Sequence, residues 1–178
     1  MLKVLKLIAG VLVAGIAIVL VLAATKPDVF QVQRSASIKA PPEKIYPLIS
    51  SLRAFNRWSP YEQKDPAMKR AYIGAESGKG AAYEWDGNKE VGAGRIEIAD
   101  VSPPSKVTLQ LEMFKPFEAH NMVEFRLEPQ GDSTNVTWAM QGKVPYLAKV
   151  VHVFFNMDNM VGGDFETGLA NLKAIAEK

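Results

Sequence analysis

The closing stretch Asp158–Lys178 reads DNMVGGDFETGLANLKAIAEK, and its reading decides the fold. Val161, Phe165, Leu169, Leu172 and the pair Ile175/Ala176 recur at the three-to-four spacing of one helical face. A long amphipathic helix must bury that face, and the residues before it supply the surface. Met122–Leu127 and Asn135–Met140 alternate apolar and polar side chains on either side of the turn signal Pro129-Gln130-Gly131-Asp132. Lys106–Phe114 alternates through Val107, Leu109, Leu111 and Met113. Each such strand has one apolar face, so the expected core is a helix laid on a sheet.

Further upstream the strand candidates continue. Gly94–Val101 precedes the break at Ser102-Pro103-Pro104. Ala81–Trp85 ends in the turn signal Asp86-Gly87-Asn88, and Lys69–Ile73 comes before the glycine-rich Gly74–Gly80. Phe30–Ile38 alternates as well, interrupted only by Arg34. Ala40-Pro41-Pro42-Glu43 opens a helix, since proline suits a first turn that needs no amide donors, and Ile45, Leu48, Ile49 and Leu52 form its buried stripe. A second short helix is predicted from Arg53 to Trp58, ending at Ser59-Pro60. Tyr146–Phe155 is apolar and reads as either a separate helix or a loop. The order strand, two helices, about six antiparallel strands, long helix gives an α+β class with helix packed on sheet.

The N-terminus is different in kind. Leu7–Ala24 contains no charge and no strongly polar side chain, and Lys3 and Lys6 stand just before it. Its eighteen residues span roughly 27 Å as a helix, close to the hydrocarbon thickness of a bilayer. We read residues 1–25 as a single-pass transmembrane anchor, with a cleavable signal peptide ending near Leu22-Ala23-Ala24 as the alternative. Residues 26–29 form a short linker reaching at most ~14 Å, and residues 30–178 form one globular domain held close to the membrane. The basic residues at the amino end favour that end inside, which places the domain on the extracytoplasmic face of the cell (inner) membrane.

Composition excludes several functions. The chain has 21 Lys+Arg and 19 Asp+Glu, and Lys3 and Lys6 account for the whole excess. The domain is therefore neutral, without the basic stripe of a nucleic-acid binder. The absence of cysteine removes thiol nucleophiles and thiolate metal sites. Gly74–Gly80 has three residues between its glycines where a phosphate-binding loop needs four, and it ends in Gly rather than Ser/Thr. His120 and His152 are the only histidines and lack a clear third ligand, so neither a metal nor a cofactor is expected. Asn135-Val136-Thr137 matches a glycosylation acceptor but lies on a predicted strand.

Several motifs together resemble the helix-grip fold of the START and birch-pollen-allergen-like superfamily, and in particular the bacterial polyketide cyclase/dehydrase-like subgroup. They are Arg34-Ser35 with Ile38–Glu43, Trp58-Ser59-Pro60-Tyr61, Gly80–Asn88 with Val91–Gly94, Val136–Met140, and Asp164–Leu172. The likeness runs from about Phe30 to the C-terminus. It implies a curved antiparallel sheet gripping the long C-terminal helix, with an apolar cavity for lipids, sterols, polyketides or other hydrophobic molecules. These motifs mark the fold and carry no catalytic group, so activity must be argued from the site.

Aromatic and methionine side chains are the candidate lining: Trp58, Tyr72, Tyr83, Trp85, Met113, Phe125, Trp138, Met140, Met157 and Phe165, with Phe154, Phe155 and Met160 nearby in the chain. Tyr83 and Trp85 share a strand face, as do Val123, Phe125 and Leu127, and Val136, Trp138 and Met140. Arg34 and Arg95 are candidate polar anchors inside such a site. The same pattern serves a filled core, and magnitude separates the two. An empty apolar void of ~300 Å³ costs on the order of 7 kcal/mol, comparable to the stability of a whole domain. The expected function is a membrane-anchored, non-catalytic domain binding a hydrophobic small molecule or lipid. One alternative is a cyclase/dehydratase-like enzyme using the same cavity, which needs at least two polar side chains converging inside it. Another is a protein-interaction or stress-response module with an exposed apolar patch.

Overall fold

A computed structural model of the chain describes residues 2–178. Helix α1 (Leu2–Ala24) is long and apolar enough to cross a membrane. Strand β1 (Val29–Ile38) follows, then three short helices, α2 (Pro42–Ser50), α3 (Leu52–Phe55) and α4 (Pro60–Lys64). Six strands come next: β2 (Lys69–Gly74), β3 (Ala81–Asp86), β4 (Ala93–Ser102), β5 (Lys106–Lys115), β6 (Ala119–Gln130) and β7 (Ser133–Lys143). Helices α5 (Tyr146–Phe154) and α6 (Met157–Ala176) close the chain.

The seven strands form one antiparallel sheet in the order β1-β7-β6-β5-β4-β3-β2. Six of them meander, while β1 joins the far side by pairing with the last strand, Val29 opposite Lys143 and Ile38 opposite Thr134. The β4–β5 register shifts twice, once between Ala93 and Gly94, where Phe114 of β5 is the extra residue, and once between Ile98 and Asp100, where Ala99 of β4 is. Such bulges bend a strand and sharpen its twist, and here they help curl the sheet. Alternation then sends Val32 and Ile38, Val107 and Leu109, Val123, Phe125 and Leu127, and Val136, Trp138 and Met140 to the concave side, where all are buried.

Helix α6 lies in this concavity beside β1, burying Phe165, Leu169, Leu172 and Ala176. Its start is capped by Asn156, whose Oδ1 accepts from the Asp158 amide at 2.9 Å. Glycine inside a helix costs ~1 kcal/mol relative to alanine, and two glycines of α6 have a packing reason to be there. A Cβ at Gly168 would lie 2.6 Å from Cζ3 of Trp138, and one at Gly162 would lie 2.1 Å from Nη2 of Arg34. At Gly168 helix and sheet therefore approach more closely than a side chain would allow, and at Gly162 a side chain would displace the Arg34 guanidinium.

The second short helix corrects the sequence reading. Helix α3 stops at Phe55, and Pro60 opens α4 instead of closing the preceding helix. Proline lacks the amide that an interior position needs, but at a first turn the amide has no intrahelical partner anyway. Tyr146–Phe155, left open between helix and loop, forms α5 up to Phe154.

Candidate functional site

The lining candidates separate into two aromatic groups. In the first, Trp138 on β7 stacks on Phe165 of α6, with centroids 4.1 Å apart and planes within 9°. Phe125, Trp58 and Phe55 surround Trp138 at 5.0, 5.6 and 6.1 Å. All five rings are buried, so each fills space that another would otherwise leave open. Phe55 is absent from the sequence-derived set; its spacing three residues before Trp58 was the available signal. The indole N–H of Trp58 donates to the Leu48 carbonyl at 2.8 Å. That of Trp138 is buried with no protein acceptor. An unpaired buried donor costs about 1–3 kcal/mol, so this N–H is a destabilising point inside an otherwise apolar cluster.

The second group runs along β2 and β3. Tyr83 stacks against Trp85 at 5.9 Å and lies 5.2 Å from Tyr72. The Tyr83 hydroxyl donates to Glu62 Oε1 at 2.8 Å, and Arg70 Nε donates to Oε2 of the same carboxylate at 2.9 Å. Burial, reinforced by the Glu62 carboxylate, pushes the Tyr83 hydroxyl far above its ordinary pKa, so the phenol stays protonated. Tyr72 is hydrogen-bonded to the Asn56 side-chain amide, and the Arg53 guanidinium lies over its ring at 4.1 Å. These contacts fasten α3 and α4 to the β2–β3 edge.

The remaining candidates occupy one end of the grip. Met157 at the start of α6 is half-buried and packs on the core with Leu111 and Val161, while Met113, also half-buried, continues the β5 alternation past Leu111 without joining that core. Met140 is buried on β7. Phe154, Phe155 and Met160 do not join them; all three are exposed.

The two arginines go to opposite sides of the sheet. Arg34 is on the concave face, where its guanidinium donates to both carboxylate oxygens of Asp158 at 2.7 and 2.9 Å and to Glu166 at 2.6 Å. Both acids belong to α6, so this strand arginine clamps the helix to β1. The hydrogen bonds from Arg34 hold the Asp158 carboxyl below its usual pKa. Arg95 alternates with the buried Ile96 and lies on the outer face, bonded to Glu84 at 3.2 Å and Glu97 at 2.6 Å. The structure therefore does not bring Arg95 to the interior.

Among the described residues, two small pockets stand out at the surface. One of about 100 Å³ lies on the outer face, among Gln31, Gln33, Glu124, Arg126 and Thr137. The other, about 70 Å³, lies at the sheet edge beside Arg53, Tyr72 and Ala82. Neither is lined by the stacked rings of Trp138 and Phe165.

Known structures share this architecture. A crystal structure of a Chromobacterium violaceum protein superposes with a TM-score of 0.59 at 13% identity, covering 86% of this chain and 99% of that one. The ginseng major latex-like protein 151 of Panax ginseng gives 0.58 at 13% identity, covering 85% of this chain and all of its own. The Aha1 dimer of Colwellia psychrerythraea gives 0.56 at 18%, covering 83% and 96%. Identities this low establish the fold alone. A search among curated protein sequences finds no significant match. The sequence profile of one family spans the whole domain, residues 29–177. By that match, and by the curved sheet wrapped on its closing helix, the chain belongs to the polyketide cyclase/dehydrase and lipid transport family.

Proposed function

We propose that the domain binds a hydrophobic small molecule or lipid at the end of the grip where β5 finishes and α6 begins, without catalysing a reaction. The observation that carries this is the state of the inward side chains there. Trp85, Leu111, Met113, Met157 and Val161 keep part of their apolar surface uncovered, although their strand and helix positions point into the fold. A ligand that covered them would gain ~25 cal/mol per Å² of apolar surface removed from water.

The cyclase/dehydratase alternative needs free polar groups inside the grip. Arg34 is occupied by two carboxylates, and the Glu62–Tyr83 pair is bound by Arg70 with its phenol held protonated. These arrangements support fastening rather than proton transfer.

Helix α1 would hold the domain in the cell (inner) membrane, with Lys3 and Lys6 on the cytoplasmic side and the domain outside. Native mass spectrometry of the detergent-extracted full chain tests the binding reading. The expected result is a co-purifying apolar adduct, lost in Met113→Asp and retained in Arg95→Gln. Protein that carries no adduct, and that binds no hydrophobic fluorescent probe after delipidation, would overturn it.

A further inference from the structure

Helix α5 is inside out for a protein surrounded by water. In the sequence YLAKVVHVF its one lysine, Lys149, is only 7% exposed and sits on the inner face with Val150 and Val153. Its Nζ is bound to Asp28 at 2.5 Å. The opposite face carries Leu147, Val151 and Phe154 at the i, i+4, i+7 spacing of one stripe, with Leu147 79% and Phe154 67% exposed. Phe155 continues that apolar surface past the helix end.

The placement of α5 says what covers the stripe. The helix packs against the last turns of α1: the Tyr146 hydroxyl donates to the Leu20 carbonyl at 2.9 Å, and Ala23 is fully buried. Leu20 lies four residues before the end of α1, about 6 Å along the helix axis. If α1 spans the bilayer, α5 therefore sits at the depth of the headgroup boundary, where a tyrosine is favoured.

A second exposed apolar element reaches the same level. Asn121 of β6 pairs with Gly142 of β7, so the β5–β6 turn before Asn121 and α5 after Gly142 leave the sheet at the same end. That turn carries Phe117, which is 81% exposed. Lys26 and Lys143, both exposed, stand at this end too and suit anionic headgroups.

We infer that α5 and the Phe117 turn are a membrane-docking surface, seated in the headgroup region of the bilayer that α1 crosses. The proposal rests on the anchor reading of α1. It adds that the domain lies on the membrane in a fixed orientation, with the open end of the grip facing lipid, instead of swinging free on its linker.

The chain has no cysteine, so single-cysteine variants can carry an environment-sensitive fluorophore without a background. The full-length variants Leu12→Cys, Leu147→Cys, Phe117→Cys and Asp132→Cys are labelled and reconstituted in phosphatidylethanolamine/phosphatidylglycerol vesicles. Asp132, on the β6–β7 turn at the opposite end of the sheet, is the aqueous control. At positions 147 and 117 the expected result is blue-shifted emission, loss of iodide quenching, and quenching by lipids with a nitroxide near the headgroup. Position 12 should respond to a nitroxide deep in the acyl chain, and position 132 only to iodide. If position 12 responds as expected but 147 and 117 remain open to iodide, the docking surface is overturned and the anchor stands. Protection from iodide without nitroxide quenching means that protein, such as a second copy, covers the stripe, and overturns it as well. If position 12 shows no lipid contact, the anchor reading fails and the docking proposal fails with it.

Discussion

The two ends of the grip are built from the same strands and finished differently. At the end below α2 and α3, Ile38, Ile45, Ile49, Val107, Leu109, Leu127 and Leu172 are all fully or almost fully buried. At the other end β5 continues its alternation into Leu111 and Met113, yet those side chains are only half covered, and Phe117 and Leu147 beyond them are exposed. Alternation alone therefore does not close a core. Closure follows where short helices cover the rim, and α5, the helix available at the other rim, turns its apolar face outward.

The largest expected effect lies in the closed region and the aromatic cluster. Phe125→Ala should cost about 3–5 kcal/mol in denaturant unfolding, whereas Met113→Ala at the open end should cost ~1 kcal/mol or less. Equal costs would mean that the two ends are packed alike. Next in size is the helix–sheet approach. Gly168→Ala forces a methyl into Trp138 and should lose about 1–3 kcal/mol. Gly163→Ala, with nothing within 4 Å of the added carbon, should gain up to ~1 kcal/mol. Thermal unfolding of the two variants in opposite directions would show that α6 is pressed against the sheet on one side only.

Trp138→Phe should leave the melting temperature close to its starting value. It removes an unpaired donor worth about 1–3 kcal/mol and loses a similar amount of ring packing. Differential scanning calorimetry checks this, and a large fall in melting temperature would mean that the indole N–H has a partner.

The smallest effect is a response to acid at the open end. Hydrogen bonds from Lys149 and Arg34 hold Asp28 and Asp158 below the ordinary carboxylate value of 3.8. Their contribution is complete above that value and disappears as pH falls through the lowered folded values. Hydrogen exchange should therefore show α5 and the first turn of α6 loosening at low pH before the closed end does. Simultaneous loosening would remove the distinction between the ends.

Much of this was legible in the sequence. The period of two gave the strands and their inward residues, and the period near 3.6 gave α6, because both patterns are strong where one face is buried and the other wet. Arg34 was visible as an interruption, but its partners Asp158 and Glu166 lie more than a hundred residues away and no local signal connects them. The outward face of α5 was hidden for a related reason. When nearly every residue of a helix is apolar, its sequence cannot say which side meets the protein. Pro60 stands at the same kind of ambiguity, since a proline after a helix and a proline opening the next one look alike in the sequence.

The pairing of β1 with β7 also determines when the domain can be finished. β1 is made immediately after α1, but its hydrogen-bonding partner is roughly a hundred residues later. At ~5–20 residues per second of synthesis that interval is on the order of ten seconds. Throughout it the strand that follows α1 lacks its partner, and the sheet is completed only when the last strand returns beside that first one. Assembly of this fold therefore ends where the chain began.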